Sequence, residues 1–225
     1  IIGDGRRISV KDVPNTWECL RQGRKNMHQL AKELENVSMD LESPETSAIC
    51  LYNGKLYRNG GIHDYLDIIT DMVMSKRLRI IIISAWYGII DAFEPIHEYN
   101  ARLIGKVAHH WRTYGLERII ADLLLTLKPF NVFGFFVGSR NWSSSGSKYR
   151  YFFTEGLKIA VKRGLHLQRG GCFYREQGYG FNALVGLGQL FVKLLLYNFD
   201  EDMIINIMED GWKWRDILIG YEELT

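Results

Sequence analysis

The amino-acid sequence predicts an α/β fold, a single domain in which a mixed central sheet is flanked by helices. The first indication is Ile80 to Ile83, four β-branched residues without a polar face, which is typical of a strand buried on both sides. The second is Val132 to Val137, another apolar run of strand composition. The third is the helical spacing of apolar residues around these runs, as in Glu117 to Leu127. With 225 residues, 47% of them hydrophobic, the chain is long enough to bury the core of one sizeable domain.

The amino-terminal half of the chain alternates loops with helical patterns. Residues 1–15 combine apolar residues with glycine and aspartate, which predicts an edge strand and a loop. Asn15 or Thr16 then suits the N-cap of a helix. The segments that follow are a helix over 17–34, an acidic loop over 35–46, a strand over 48–52 with a turn at Asn53-Gly54, and a helix over 62–76.

The carboxyl-terminal half is richer in helical patterns. The predicted elements are a short helix within 99–113, a helix over 117–127 that Pro129 closes, the buried strand over 132–137, a helix over 149–162, a strand within 164–174 that breaks at Gly170-Gly171, and a helix over 184–197. Residues 199–225 form an acidic segment, for which one or two helices are expected.

Cysteine usage and hydropathy bear on the location of the protein. Cys19, Cys50 and Cys172 are widely spaced and odd in number, which favours a reducing compartment over a disulfide framework. The longest apolar candidate, Ala183 to Tyr197, falls short of the about 20 residues that span a bilayer. We therefore expect a cytoplasmic protein without a membrane partner, and the sequence leaves its oligomeric state open.

Polar side chains follow the isoleucine strand at the point where it ends. In open α/β sheets ligands bind beyond the carboxyl ends of strands, where loops are held by a rigid layer and face solvent. Ser84 and Tyr87 offer hydroxyls, Gly88 allows a ligand to approach the backbone, and Tyr99 follows in the next segment. A strand followed by an ordinary turn is the alternative interpretation.

The loop after the second buried strand has chemistry that suits phosphate or nucleotide contact. It is rich in glycine and serine, and it contains Ser139, Arg140, Trp142 and Lys148. A flexible linker is the alternative interpretation. If this loop and the one after Ile83 lie on the same side of one sheet, as βαβ connections place them, they form two walls of one pocket.

Charge is distributed unevenly along the carboxyl-terminal half. Residues 140–175 contain eight basic residues against Glu155 alone, whereas residues 199–225 contain eight acidic residues and two basic ones. Such asymmetry can mark one face for polyanions, or it can reflect two solvated surfaces that differ. Aromatic residues interleave with the basic tract, and its candidate phosphate-binding residues are Lys148, Arg150, Lys158, Lys162 and Arg175.

The motif that runs from Ser84 to Gly88, followed by Glu94 to Tyr99, resembles the signature of the YaaA family of peroxide stress proteins. Ala48 to Tyr57 resembles the strand and turn that precede this motif, and Asn131 to Val137 resembles the next buried strand. The family's amino-terminal motif is not found, and its basic element is only echoed by Phe173 to Arg175. A looser relative that shares only the S-A-x-Y-G core fits the same residues.

The resemblance implies a YaaA-like fold, a basic cleft that binds DNA, and a link to protection from hydrogen peroxide. The sequence therefore favours a protein that binds DNA or another nucleic acid through such a cleft, with double-stranded or structured DNA as the expected form. The alternative is an enzyme of glycosidase or glycosyl-transfer type acting on a nucleobase or nucleotide, in which Asp91 and Glu94 would be catalytic. Iron handling is a third reading, but His63, His97 and His109 stand in no recognised metal motif, so no metal or cofactor is predicted.

Overall fold

The computed structural model describes residues 16–138, 141–143, 145–177 and 180–225, so the edge strand and loop predicted over residues 1–15 lie outside the described residues. The described helices are α1 (Thr16–Ala31), α2 (Ala48–Leu51), α3 (Leu66–Met74), α4 (Gly105–Thr113), α5 (Leu116–Leu127), α6 (Tyr149–Lys162), α7 (Gly180–Leu196) and α8 (Glu201–Asp210). The strands are β1 (Ser38–Met39), β2 (Thr46–Ser47), β3 (Ile81–Ser84), β4 (Gly88–Asp91), β5 (Pro95–Ile96), β6 (Tyr99–Asn100), β7 (Asn131–Phe136), β8 (Arg169–Gln177), β9 (Trp212–Trp214) and β10 (Ile217–Glu223).

The largest sheet is mixed, with the strand order β7-β8-β10-β9. β7 and β8 are parallel and are connected by α6, whereas β8, β10 and β9 pair in antiparallel fashion. The predicted α/β class, with a mixed sheet and flanking helices, is confirmed. Two small pairings, β1 with β6 and β2 with β5, join the loops outside this sheet.

The isoleucine strand departs from the prediction in its pairing. β3 turns back through residues 85–87 into β4 and forms a two-stranded antiparallel ladder, with Ile82 opposite Ile90 and Ser84 opposite Gly88. Within the described residues it is not hydrogen-bonded to the mixed sheet. Gly88 permits the tight turn because its φ of +75° lies in the left-handed region.

Helices cover both faces of the strands, so the β3–β4 ladder and the mixed sheet lie in one middle layer. On one face, Ile81 and Val132 pack in a core formed with α1, α4, α5 and α6. On the other face, Ile82 packs with α2, α3 and α7, while Phe133 packs with α7 and α8. This double coverage is the reason why β3 and β7 read as apolar runs without a polar face.

Two predicted elements are corrected. The strand expected over residues 48–52 is the single helical turn α2, in which the Tyr52 N–H donates to the Ala48 carbonyl at 3.0 Å. A run this short carries no periodicity that separates a strand from a helical turn. The acidic segment is helical only in α8, and the remainder forms β9 and β10, because alternate residues such as Ile217 and Ile219 are fully buried against the sheet.

Candidate functional site

Three of the predicted site residues meet at the end of β3. The Ser84 side chain is buried, and its Oγ accepts a hydrogen bond from the Tyr87 N–H at 2.9 Å. The same Oγ lies 3.0 Å from the Tyr99 hydroxyl, which lies 2.6 Å from the Tyr52 hydroxyl. The Tyr87 hydroxyl accepts the His97 N–H at 3.1 Å. The hydroxyls of Ser84, Tyr99 and Tyr52 therefore form an internal network, and the Tyr87 hydroxyl is engaged separately by the His97 main chain.

Four tyrosines surround this network. Tyr52, Tyr57, Tyr99 and Tyr149 all line one end of a cavity, and the rings of Tyr52 and Tyr57 stack at 5.5 Å. Burial raises the pKa of each hydroxyl above its ordinary value. These hydroxyls are therefore neutral at physiological pH and act as hydrogen-bond donors and acceptors rather than as anions.

The cavity has a volume of 490 Å³ and lies between β3 and β7. Residues 78–83 line one side and residues 131–137 line the other, together with Ser147 from the loop after β7 and Tyr149 at the start of α6. The two buried strands thus line one cavity. The lining of this cavity is mainly apolar. None of the described residues from Ser84 to Gly88, at the turn after β3, belongs to the lining. The expected pair of polar loop walls is therefore not what encloses this space.

Gly88 serves packing as well as the turn. A Cβ atom at this position would lie 2.6 Å from the Trp111 ring and 2.7 Å from Leu20 Cδ1. The Trp111 ring is buried, and its Nε1–H donates to the Ala85 carbonyl at 2.7 Å. The absence of a side chain at Gly88 thus lets Trp111 close the hairpin, which is a structural role rather than access for a ligand.

Asp91 and Glu94, the carboxylates of the enzyme alternative, are both engaged by arginines. Arg24 donates to Glu94 Oε1 at 2.9 Å and also to the Tyr87 and Ile89 carbonyls, at 2.9 and 2.7 Å. Arg79 lies 3.4 Å from Asp91 Oδ2, and Asp91 Oδ1 accepts a main-chain N–H. These contacts hold the β3–β4 hairpin, and neither carboxylate lines the cavity as described.

The basic tract of residues 140–175 does not form one open face. The Arg150 side chain is buried, pairs with Glu222 of β10 at 2.6 Å, and lies over the Tyr174 ring at 4.0 Å. Arg169 pairs with Glu201 of α8 at 3.0 Å. The acidic carboxyl-terminal segment therefore neutralises part of the basic tract instead of occupying a separate face.

The other predicted cations of the tract are dispersed. Lys148 is buried, and its ammonium donates to the Asn141 carbonyl at 3.4 Å. Lys158 is exposed and pairs with Glu155 on the same helix, while Lys162 and Arg175 are exposed at other positions. Ser139 and Arg140 lie outside the described residues.

A different surface combines cations with aromatic rings. Residues 99–116 contain no acidic residue, and α4 within them buries Val107, Ala108 and Trp111 against the core. Its opposite side is exposed and basic. We call this side and the aromatic residues that pack on it the α4 surface; its members are Arg102, Lys106, His109, Arg112, Trp142 and Tyr151.

The α4 surface is built around the Trp142 ring. The exposed Arg112 guanidinium lies 4.3 Å from the centroid of the half-buried Trp142 ring and 5.9 Å from that of Tyr151. The His109 ring packs edge to face on the Trp142 ring, with 5.1 Å between the ring centroids. The Tyr151 ring centroid lies 5.0 Å from that of Trp142. Glu117 and Glu155 approach Tyr151 from α5 and α6, so the acidic boundary of the surface lies on that side. Because the Arg112 side chain is exposed, guanidinium donors remain accessible from solvent beside the ring.

Of the members of the α4 surface, sequence reasoning found Trp142 and missed the cations. The signal was available as a run of eighteen residues, 99–116, with three Arg or Lys, two His and no acid. The adjacent histidines of this run drew attention only as metal ligands. Among the described residues, no three His, Cys, Asp or Glu side chains are grouped in a way that could hold a metal ion.

The fold and the site define an α/β protein with an internal tyrosine cluster and an exposed cationic and aromatic surface. Comparison with models of protein families, with curated proteins and with solved structures gave no match. The YaaA resemblance therefore rests on the sequence motifs alone. None of the described helices has the length and apolarity that crossing a membrane requires.

Proposed function

We propose that this protein binds nucleic acid, in particular DNA with unpaired bases, through the α4 surface. The single observation that carries the proposal is the Arg112 guanidinium, which lies over the Trp142 ring in an acid-free stretch of chain. Phosphate groups require cations that face solvent, and unpaired bases require flat side chains on which to stack. The α4 surface offers both within one patch.

The cations of this surface are better placed for phosphate than those of the basic tract. Arg102, Lys106 and Arg112 are exposed, whereas Arg150 is buried and neutralised by Glu222. Burial raises the pKa of Tyr149, and the nearby Arg102 guanidinium partly offsets this rise. The α4 surface therefore extends towards the tyrosine end of the cavity. The surface therefore offers three exposed cations to the phosphates of a nucleic acid.

The stacking partners favour unpaired bases over an intact duplex. The bases of a duplex already stack on each other, so they do not present their faces to a protein side chain. A base that stacks on the Arg112–Trp142 pair gains about 1–3 kcal/mol, which corresponds to roughly 5- to 150-fold in affinity. We therefore expect single-stranded DNA to bind more tightly than duplex DNA of the same length.

The sequence resemblance supports the same proposal. The resemblance to YaaA proteins implies DNA binding that is linked to oxidative stress. In a cytoplasmic protein, this DNA contact would lie in a reducing compartment. The three cysteines, all within the described residues, form no disulfide. The link to oxidative stress rests on the motif from Ser84 to Gly88 and is part of the proposal.

The proposal is tested by titrating fluorescently labelled single-stranded and duplex DNA with the full chain at several salt concentrations. Arg112→Gln should weaken binding and reduce the slope of log affinity against log salt by about one unit, because one phosphate contact is lost. Trp142→Ala should weaken single-strand binding about 5- to 150-fold with little change in that slope.

Lys162→Ala is the matched control, because it also removes one exposed positive charge. Lys162 stands at the end of α6, about 20 Å along the helix axis from Tyr149 at its start. Circular dichroism checks that every variant is folded. Equal losses for Arg112→Gln and Lys162→Ala, or unchanged binding in Trp142→Ala, would exclude the α4 surface as the site.

A further inference from the structure

The cavity between β3 and β7 has the form of a slot between two sheet edges. Consecutive residues of both strands line it, residues 78–83 on one side and 131–137 on the other. The Tyr99 hydroxyl is hydrogen-bonded to Ser84 at the end of β3, and its pKa is raised by burial and also by the nearby Tyr149. Tyr149 follows Ser147, whose hydroxyl donates to the Val137 carbonyl just after β7. The ends of β3 and β7 therefore lie on the same side, so we infer that the two strands run parallel. Between the described residues of β3 and β7 there is no strand pairing.

The backbone of β3 directs polar groups into this slot. The Ala92 N–H donates to the Ile80 carbonyl at 3.0 Å, and the register places Ile82 opposite Ile90. Because hydrogen-bonding groups alternate along an antiparallel strand, Ile80 and Ile82 face β4. The N–H and C=O groups of Ile81 and Ile83 consequently face away from β4, into the slot.

The backbone of β7 does the same from the other side. The Gly170 carbonyl accepts the Leu224 N–H at 2.8 Å, so by alternation Gly171 turns its polar groups towards β7. Gly171 lies opposite Phe133, and in a parallel ladder such a residue bonds to the two neighbours of its partner. The N–H and C=O groups of Phe133, and by the same alternation those of Phe135, therefore point away from β8 and into the slot.

This pattern of polar groups decides what the slot fits. A lipid chain or an apolar small molecule would cover the walls while leaving eight main-chain groups, on Ile81, Ile83, Phe133 and Phe135, without hydrogen bonds, which is unfavourable in an apolar interior. An extended peptide supplies the complementary donors and acceptors at the same spacing. The slot therefore has the chemistry of a position for one β-strand.

We propose that the slot binds a polypeptide segment as an added β-strand, and that this segment is the part of the chain before α1, residues 1–15. The strand would join the β3–β4 ladder and the mixed sheet into one continuous sheet. Fifteen extended residues reach about 50 Å, and a covalent tether raises the local concentration of the segment. The segment also has the β-branched composition that a doubly covered strand prefers, in Ile1, Ile2, Ile8, Val10 and Val13.

Residue-resolved amide hydrogen exchange on the full chain tests this proposal. The amides of Ile81, Ile83, Phe133 and Phe135 should exchange at least about 100-fold more slowly than in an unstructured chain. In a chain with Ile2→Pro, Ile8→Pro and Val10→Pro the segment loses three main-chain donors and is strongly disfavoured as a central strand, so these four amides should lose that protection. The amide of Ile82, which bonds to β4, is the internal control and should stay protected.

Three outcomes would overturn the proposal. Fast exchange at the four amides in the unmodified chain would show an empty slot. Full protection in the proline variant would assign the slot to another occupant, and protection that rises with protein concentration would assign it to a second copy. If the proline variant unfolds, the unmodified chain is tested by nuclear Overhauser contacts between methyl groups of residues 1–15 and the Ile83 or Phe135 amides. The absence of these contacts would count against the proposal.

Discussion

Replacing Gly88 by alanine should destabilise the protein strongly, because two separate terms act at this position. A φ of +75° is unfavourable for a residue with a Cβ atom, which costs about 1–2 kcal/mol. The new methyl group would also lie 2.6 Å from the Trp111 ring and 2.7 Å from Leu20 Cδ1. Both neighbours are fully buried and cannot retreat, so overpacking adds about 1–3 kcal/mol. The expected loss is therefore about 2–5 kcal/mol in the free energy of unfolding.

Gly164→Ala provides the matched control for this prediction. Gly164 has a φ of +94°, but a Cβ atom there would meet nothing within 4 Å. It should therefore show only the conformational term, about 1–2 kcal/mol. Equilibrium denaturation in urea, followed by tryptophan fluorescence and with the m-values compared, measures both losses. Equal losses for the two variants would refute the close packing of the hairpin against Trp111.

Two further predictions concern the hairpin and the tyrosine cluster. Arg24→Met should destabilise the protein by about 3–5 kcal/mol, because it leaves the half-buried Glu94 carboxylate without its ion-pair partner. Adding Glu94→Gln should recover part of that loss. Additive losses in the double variant would contradict the pairing. Burial raises the pKa of the Tyr52, Tyr57 and Tyr99 hydroxyls. Above the unfolded-state pKa of about 10, the native state therefore binds more protons than the unfolded state. The free energy of unfolding then falls by up to about 1.4 kcal/mol per pH unit for each tyrosine. Tyr57→Phe should make this alkaline loss shallower, and tyrosinate absorbance that appears in the native protein before unfolding would contradict the burial.

Local pattern was sufficient for the elements whose periodicity extends over several turns. The helix predicted over 149–162 is α6, and that predicted over 117–127 is α5 apart from one added residue. Fourteen or eleven residues present enough repeats of the apolar face to exclude a strand. Residues 48–52 and 212–223 were predicted wrongly because their segments are short or break at aromatic and glycine residues, so that tertiary contacts decide their conformation.

The candidate site was predictable in its parts but not in its arrangement. Ser84, Tyr87 and Tyr99 lie close together, because the end of a buried strand and the segment that follows it are neighbours in the chain. The engagement of Arg150 by Glu222 joins residues seventy-two positions apart, and no local pattern indicates it. For the same reason the α4 surface could not be located from the segment with the largest excess of basic residues.

The sequence by itself determined the α/β class, the two buried strands and most of the helices, because hydrophobic periodicity is a local property that the backbone geometry converts directly into secondary structure. Only the tertiary structure decided which charges remain free and which sheet edges face each other. The acidic segment neutralises the buried arginine of α6, and β3 meets β7 across a cavity instead of bonding to it. Charge pairing and strand order depend on contacts between residues far apart in the chain, and these are fixed by how the layers pack and not by the composition of any one segment.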